Sequence, residues 1–117
     1  MLDTWLKEVK ETADQDSLGM ILVHEGIVRG TSKTGARIIG MQLTYDKEKL
    51  GGKVDELRAK EGIVDIRVWI NSGKLKVGDD IMLALVAGRF RTDILPVFVE
   101  LLTAIKSEIV EEREILD

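Results

Sequence analysis

The chain has 117 residues, a length that predicts one domain over residues 1–117 with a single core. Its 44% apolar and 32% charged content excludes a disordered chain, and only 4% is aromatic, so the core must be built from Leu, Ile and Val. A net charge of -4 argues against nucleic acid or anionic lipid as partners, no cysteine excludes disulfides and a cysteine nucleophile, and one histidine, His24, excludes a multi-histidine metal site.

The opening segment, MLDTWLKEVKETADQ, is charged and amphipathic, with no long apolar run. That pattern predicts neither a signal peptide nor a membrane span, and so a cytoplasmic protein. Residues 3–14 put Trp5, Leu6 and Val9 on one face, the spacing of a short helix. Residues 19–30, GMILVHEGIVRG, are rich in β-branched side chains and bounded by glycine, which predicts a long buried strand. The turn chemistry of TSKTG follows, and residues 37–45, RIIGMQLTY, predict a second strand. The short glycine-containing loop between the two predicts a hairpin.

Asp46 is suited to cap a helix running to about Lys60, although Gly51 and Gly52 in its middle each cost about 1 kcal/mol relative to alanine. Residues 62–71 predict a third strand, SGKLKVGDD a connection, and residues 81–88 a fourth strand. A last helix is predicted from about Asp93 to about Glu112, with Pro96 in its first turn, where a missing N–H removes no internal bond. The order α-β-β-α-β-β-α predicts an α+β domain with a mostly antiparallel sheet flanked by helices.

Individual motifs carry little chemistry. GTSKTGAR, residues 30–37, falls short of a phosphate-binding P-loop, because Ala36 and Arg37 stand where Lys and Ser or Thr are required. A hairpin tip is the plainer reading, with Lys33 and Arg37 able to touch an anionic ligand. His24 could act as a general base, but a lone histidine in a strand without a Ser or Cys partner is more often structural. Glu25 lies beside it on the opposite strand face, so the two form no local dyad. Arg29 ends the same strand, either as an exposed strand end or as a planar clamp for phosphate or carboxylate. Asp79 and Asp80 lack the spaced oxygen ligands of a calcium loop.

In the last helix Ile94, Phe98, Leu101, Leu102, Ile105 and Ile109 form one stripe, with Lys106 and Arg113 on its flank. On a continuous helix the two are about two turns, roughly 10 Å, apart and could face one cleft. Arg91 precedes the helix near its N-terminal dipole, where anions are favoured. The alternative stays open: lysine and arginine stems commonly cover apolar edges while their heads remain wet.

Taken in order, the motifs resemble those of the molybdopterin synthase catalytic (large) subunit family. GMILVHEGIVRG is similar to that family's opening strand with its Gly-x-Val-Arg segment, IRVWINSGKLKVGDDIMLALVAGRFR to its strand, turn, strand and His-Arg segment, and TDILPVFVELLTAIK to the helix that carries its catalytic lysine. The similarity spans residues 19–113. It implies an α/β hammerhead-type fold and a homodimer within a heterotetramer. Each large subunit would bind a small ubiquitin-like sulfur-carrier subunit by its C-terminal Gly-Gly thiocarboxylate. The implied reaction transfers sulfur to cyclic pyranopterin monophosphate, forming the molybdopterin dithiolene, with no cofactor and no metal. By position, Lys106 matches the catalytic lysine, Arg91 the arginine of the His-Arg pair and Arg29 that of the first strand; Arg113 falls where a second lysine is usual. Arg37 joins them as a candidate anion-binding residue. Phe90 stands where the family commonly has histidine, Ile70 and Asn71 replace a His-Arg-like pair, and IVEEREILD replaces a Pro-x-Trp-Lys-Lys ending.

Overall fold

The computed structural model describes residues Met1–Asp117. Two three-stranded antiparallel sheets lie along a molecule 51 Å long and 25 Å by 23 Å in section. The α+β class expected from the element order is the one observed.

Helix α1 (Leu2–Thr12) precedes strand β1 (Met20–Ile27), which pairs with β5 (Asp80–Gly88); β5 in turn pairs with β3 (Ile63–Ile70). As the central strand, β5 is covered on both faces, which explains its unbroken apolar run. Leu85 and Ala87 face α1, where Val9 is buried against them. Ala84 and Val86 face the other way, into the main core with Leu57 of α2 (Lys47–Arg58) and Ile94 and Leu101 of α3 (Arg91–Ala104). The α2 cap is as expected: Lys49 N–H donates to Asp46 Oδ1 at 3.1 Å.

The second sheet has β2 (Ile38–Tyr45) between β4 (Gly73–Lys76) and β6 (Val110–Leu116). The hairpin expected between residues 19–30 and 37–45 is therefore absent; β1 and β2 belong to different sheets. After β1 the chain turns away at Val28, whose N–H donates to Asp79 O at 2.9 Å, and a single bridge, Thr31 with Arg37, spans the connecting loop. β2 instead receives β4 so closely that a Cβ on Gly40 would lie 2.6 Å from Leu75 O. The short strand β4 lies inside the segment expected to be only a connection.

The largest departure is at the C-terminus. The final helix ends at Ala104, passes through one π-helical turn, Ile105–Ile109, and becomes β6. Ser107 Oγ donates to Thr103 O at 2.7 Å, and Asp46 N–H to Ile109 O at 2.9 Å, tying the turn to the start of α2. Ile105 and Ile109 keep helical spacing, which masked the change, whereas VEEREIL alternates and pairs with β2 from Val110 onward. The helix also starts earlier than expected, at Arg91, so Pro96 lies inside it beyond the first turn.

Gly51 and Gly52 sit mid-helix in α2 with nothing within 4 Å of an added Cβ. Alanine at either position should raise stability by about 0.5–1 kcal/mol, measured by chemical denaturation.

Candidate functional site

Where the β1–β2 loop, β5, the π turn and β6 meet, they enclose a cleft with two compartments. The outer one, about 420 Å³, is lined by Arg29, Thr31, Ser32, Lys33, Thr34 and Lys106 on its cationic and hydroxyl side, with Glu112 and Glu114 from β6. The inner one, about 310 Å³, is largely apolar and contains His24, Ile70, Met82, Leu102 and Ile105. Lys106, Ile81 and Glu112 line both, so Lys106 stands at their boundary.

The loop that carries Lys33 is a built turn. Ser32 and Thr34 hydroxyls are 3.0 Å apart, Ala36 N–H donates to Ser32 Oγ at 3.0 Å, and Gly35 has φ +89, a conformation that costs glycine little. Arg29 Nε donates to Thr31 O at 3.0 Å, which fixes the guanidinium while its terminal N–H groups stay free for a ligand. None of the ion pairs in the chain uses Lys106, Arg29 or Lys33. Three cations free of ion pairs outnumber the two carboxylates, Glu112 and Glu114, in this concave site and leave it a local excess of positive charge on an acidic protein.

The other expected site residues lie elsewhere in the chain. Arg113 does not share the cleft with Lys106 as a continuous helix would require. In β6 side chains alternate, so Glu112 and Glu114 enter the cleft and Arg113 faces the opposite side, opposite Gln42 in the ladder. Arg91 opens α3, fifteen residues and so roughly 22 Å of chain from Lys106. Arg37 pairs with Asp117 at 3.3 Å, beside a separate depression with Ile39 and Val77. The neighbouring Arg89 is held by Asp93, at 3.1 Å, and by Glu61, which together raise its pKa. Glu112 and Glu114 were not singled out in the sequence; the alternation of VEEREIL was the signal for them. No group of three or more His, Cys, Asp or Glu side chains comes together to hold a metal ion.

On the opposite face of β1 from His24, Glu25 lies against Asp80. A hydrogen bond between the two carboxyls, formed when one carries the proton, raises the Glu25 pKa, with like-charge repulsion from Asp80 second and burial third. The folded state thus prefers the shared proton, and its stability falls as pH rises from the ordinary carboxylate range through the raised value. Glu25→Gln should therefore raise the thermal midpoint at neutral pH and leave it nearly unchanged in acid, below the carboxylate range.

Against this geometry, the family model described as MoaE protein matches residues 3–108. The chain belongs to the MoaE family. That family is the large subunit of molybdopterin synthase, in agreement with the resemblance of the motifs. No curated protein matches the chain in a sequence search. Among solved structures, a molybdopterin synthase from Staphylococcus aureus superposes with a TM-score of 0.77 at 20% identity, covering 95% of this chain and 84% of that one. A complex of subunits 1 and 2 of the molybdopterin-converting factor from Helicobacter pylori gives 0.76 at 18% identity, over 98% and 75%. A molybdopterin biosynthesis MoaE protein from Burkholderia ambifaria gives 0.77 at 18%, over 99% and 82%. At these identities the superpositions establish the MoaE fold alone. No helix of this MoaE-family chain is long and apolar enough to cross a membrane.

Proposed function

We propose that this chain acts in molybdenum-cofactor biosynthesis by transferring sulfur from the thiocarboxylated C-terminus of a small ubiquitin-like carrier to cyclic pyranopterin monophosphate, forming the dithiolene of molybdopterin. It would work in the cytoplasm as a homodimer with one carrier on each large subunit. Membership of the MoaE family supports the pathway, and the related two-subunit complex from Helicobacter pylori supports a small partner. The observation that carries the reading is the cleft itself: Lys106, Arg29 and Lys33 converge in one concavity, none of them held in an ion pair, facing Glu112 and Glu114 on the β6 wall.

In this reading Lys106, at the compartment boundary, holds the thiocarboxylate and the charge that develops on it during transfer. An ammonium is a compact point charge suited to a single sulfur or oxygen atom. Arg29 and Lys33, with the hydroxyls of Thr31, Ser32 and Thr34, bind the substrate phosphate, where a guanidinium supplies a planar fork of donors. The sulfur nucleophile comes with the carrier, so a chain without cysteine can perform the reaction. Arg91, Arg113 and Arg37 do not reach this cleft within one chain and have no role assigned in it.

A second reading is a weakened paralogue that only binds a ubiquitin-like partner. The placement of Arg113 outside the cleft, with Glu112 and Glu114 on that wall, favours it. Intact-protein mass spectrometry separates the two. An enzyme converts the carrier's thiocarboxylate to carboxylate only when this chain and the pterin are both present. A binding module forms the complex and leaves the thiocarboxylate intact, and that result would refute the transfer reading.

A further inference from the structure

The inner compartment contains one group to which the reading above gives no task. Strand alternation sends the His24 side chain to the α3 face of the first sheet, where it lines the same pocket as Lys106. Its imidazole lies along the strand over Gly26: a Cβ built there would come within 3.4 Å of His24 Nε2. The ring makes no hydrogen bond within the chain. The charged groups lining its pocket are Lys106 from the π turn and Glu112 from β6. β3, β5 and α3 contribute Ile70, Met82 and Leu102, none of which titrates.

The balance of the transfer reaction calls for a proton acceptor. A carrier whose thiocarboxylate sulfur displaces an oxygen substituent from a carbon of the substrate, the oxygen leaving with the electron pair of its bond to that carbon, is joined to it, through that sulfur, as a thioester. Release needs water: a bond forms between water oxygen and the acyl carbon, and the carbon–sulfur bond breaks with its electron pair leaving on sulfur. The substrate keeps a thiolate, the carrier departs as a carboxylic acid that gives its remaining proton to solvent and becomes a carboxylate, and nothing is oxidised or reduced. A base must take a proton from the water. Arginine stays protonated and cannot serve, and a carboxylate is a weak base; imidazole exchanges protons near neutral pH.

We propose that His24 is the proton acceptor for hydrolysis of the carrier–substrate thioester in the inner compartment, with Lys106 beside the leaving sulfur. The inference rests on the sulfur-transfer reading. The test compares the full chain with its His24→Gln and His24→Phe variants, using thiocarboxylated carrier and the cyclic pterin across a pH series. Both variants should lose about 10²-fold or more in kcat with KM changed by less than roughly threefold, should lose the acidic limb of the rate profile, and should accumulate the thioester adduct. A His24→Gln protein that keeps both its rate and its acidic limb overturns the assignment.

Because His24 is the only histidine, its ring resonance in the unmodified chain gives a second readout that needs no variant to fold. Adding a carrier-tail peptide ending in thiocarboxylate should shift that resonance, and an unmoved resonance at saturation overturns the assignment. If the unmodified chain yields neither product nor adduct, the sulfur-transfer reading fails and the inference fails with it. An active chain indifferent to His24→Gln sinks only the inference.

Discussion

Lys106→Ala is expected to lower dithiolene formation by about 10²–10³-fold, the loss typical when one charge-stabilising group is removed from a reacting centre. Folding should be nearly unaffected. The side chain is exposed, no ion pair holds it, and the π turn around it is fixed by Ile105, Ile109 and the Ser107 to Thr103 bond instead. Carrier binding should also persist, because most of a protein interface lies outside a single reacting cleft. Turnover, thermal midpoint and carrier affinity measured together check the prediction. A fully active Lys106→Ala protein, or one that fails to fold, would contradict the role given to this residue. Lys106→Arg adds a sharper comparison: it keeps the charge but replaces a point donor with a planar fork, and should recover only part of the rate.

Leu101→Ala should produce the largest loss of stability among single changes considered for this chain, about 2–5 kcal/mol. Leu101 is 0% exposed, on the face of α3 that packs into the main core with Ile66, Ala84 and Val86. Truncation leaves a cavity between a helix and a sheet whose central strand is already covered on both faces, so the site has little freedom to collapse. Urea unfolding of the two proteins measures the difference directly. The same measurement on Val99→Ala, which removes a side chain 59% exposed on the outer side of the helix, should show a change within about 0.5 kcal/mol.

Much of the architecture was legible because local rules and the tertiary structure agree. Asp46 announced the start of α2, and β5 declared itself by an apolar run that only a strand covered on both faces can carry. Strand pairing was harder. The turn between residues 30 and 37 has hairpin chemistry, and its Thr31–Arg37 bridge is what that chemistry delivers, but the flanking strands are claimed by stronger partners, β5 and β4. The register with β5 is set by residues more than fifty positions away, and nothing local to the turn reports it.

The C-terminal helix failed for a related reason. Ile105 and Ile109 satisfy helical spacing, while Val110, Glu112 and Glu114 satisfy strand spacing, and the two patterns overlap within a few residues. Misplacing that boundary moved Arg113 into the cleft and left Glu112 and Glu114 out of it. Arg29, Lys33 and Lys106 are brought together although they come from segments far apart in sequence, an arrangement that periodicity alone had no means of joining. His24 looked unemployed in the sequence because no Ser or Cys accompanies it in the strand and Glu25 points to the opposite face; Lys106 and Glu112, which line its pocket, come from the other end of the chain.

The most direct test is reconstitution: this chain, a demonstrably competent thiocarboxylated carrier and cyclic pyranopterin monophosphate, followed for dithiolene product, with Lys106→Ala in parallel. The account predicts product that depends on all three components and is largely lost with Lys106→Ala. Formation of a stable complex with the carrier, but no dithiolene from the unmodified chain, would contradict it.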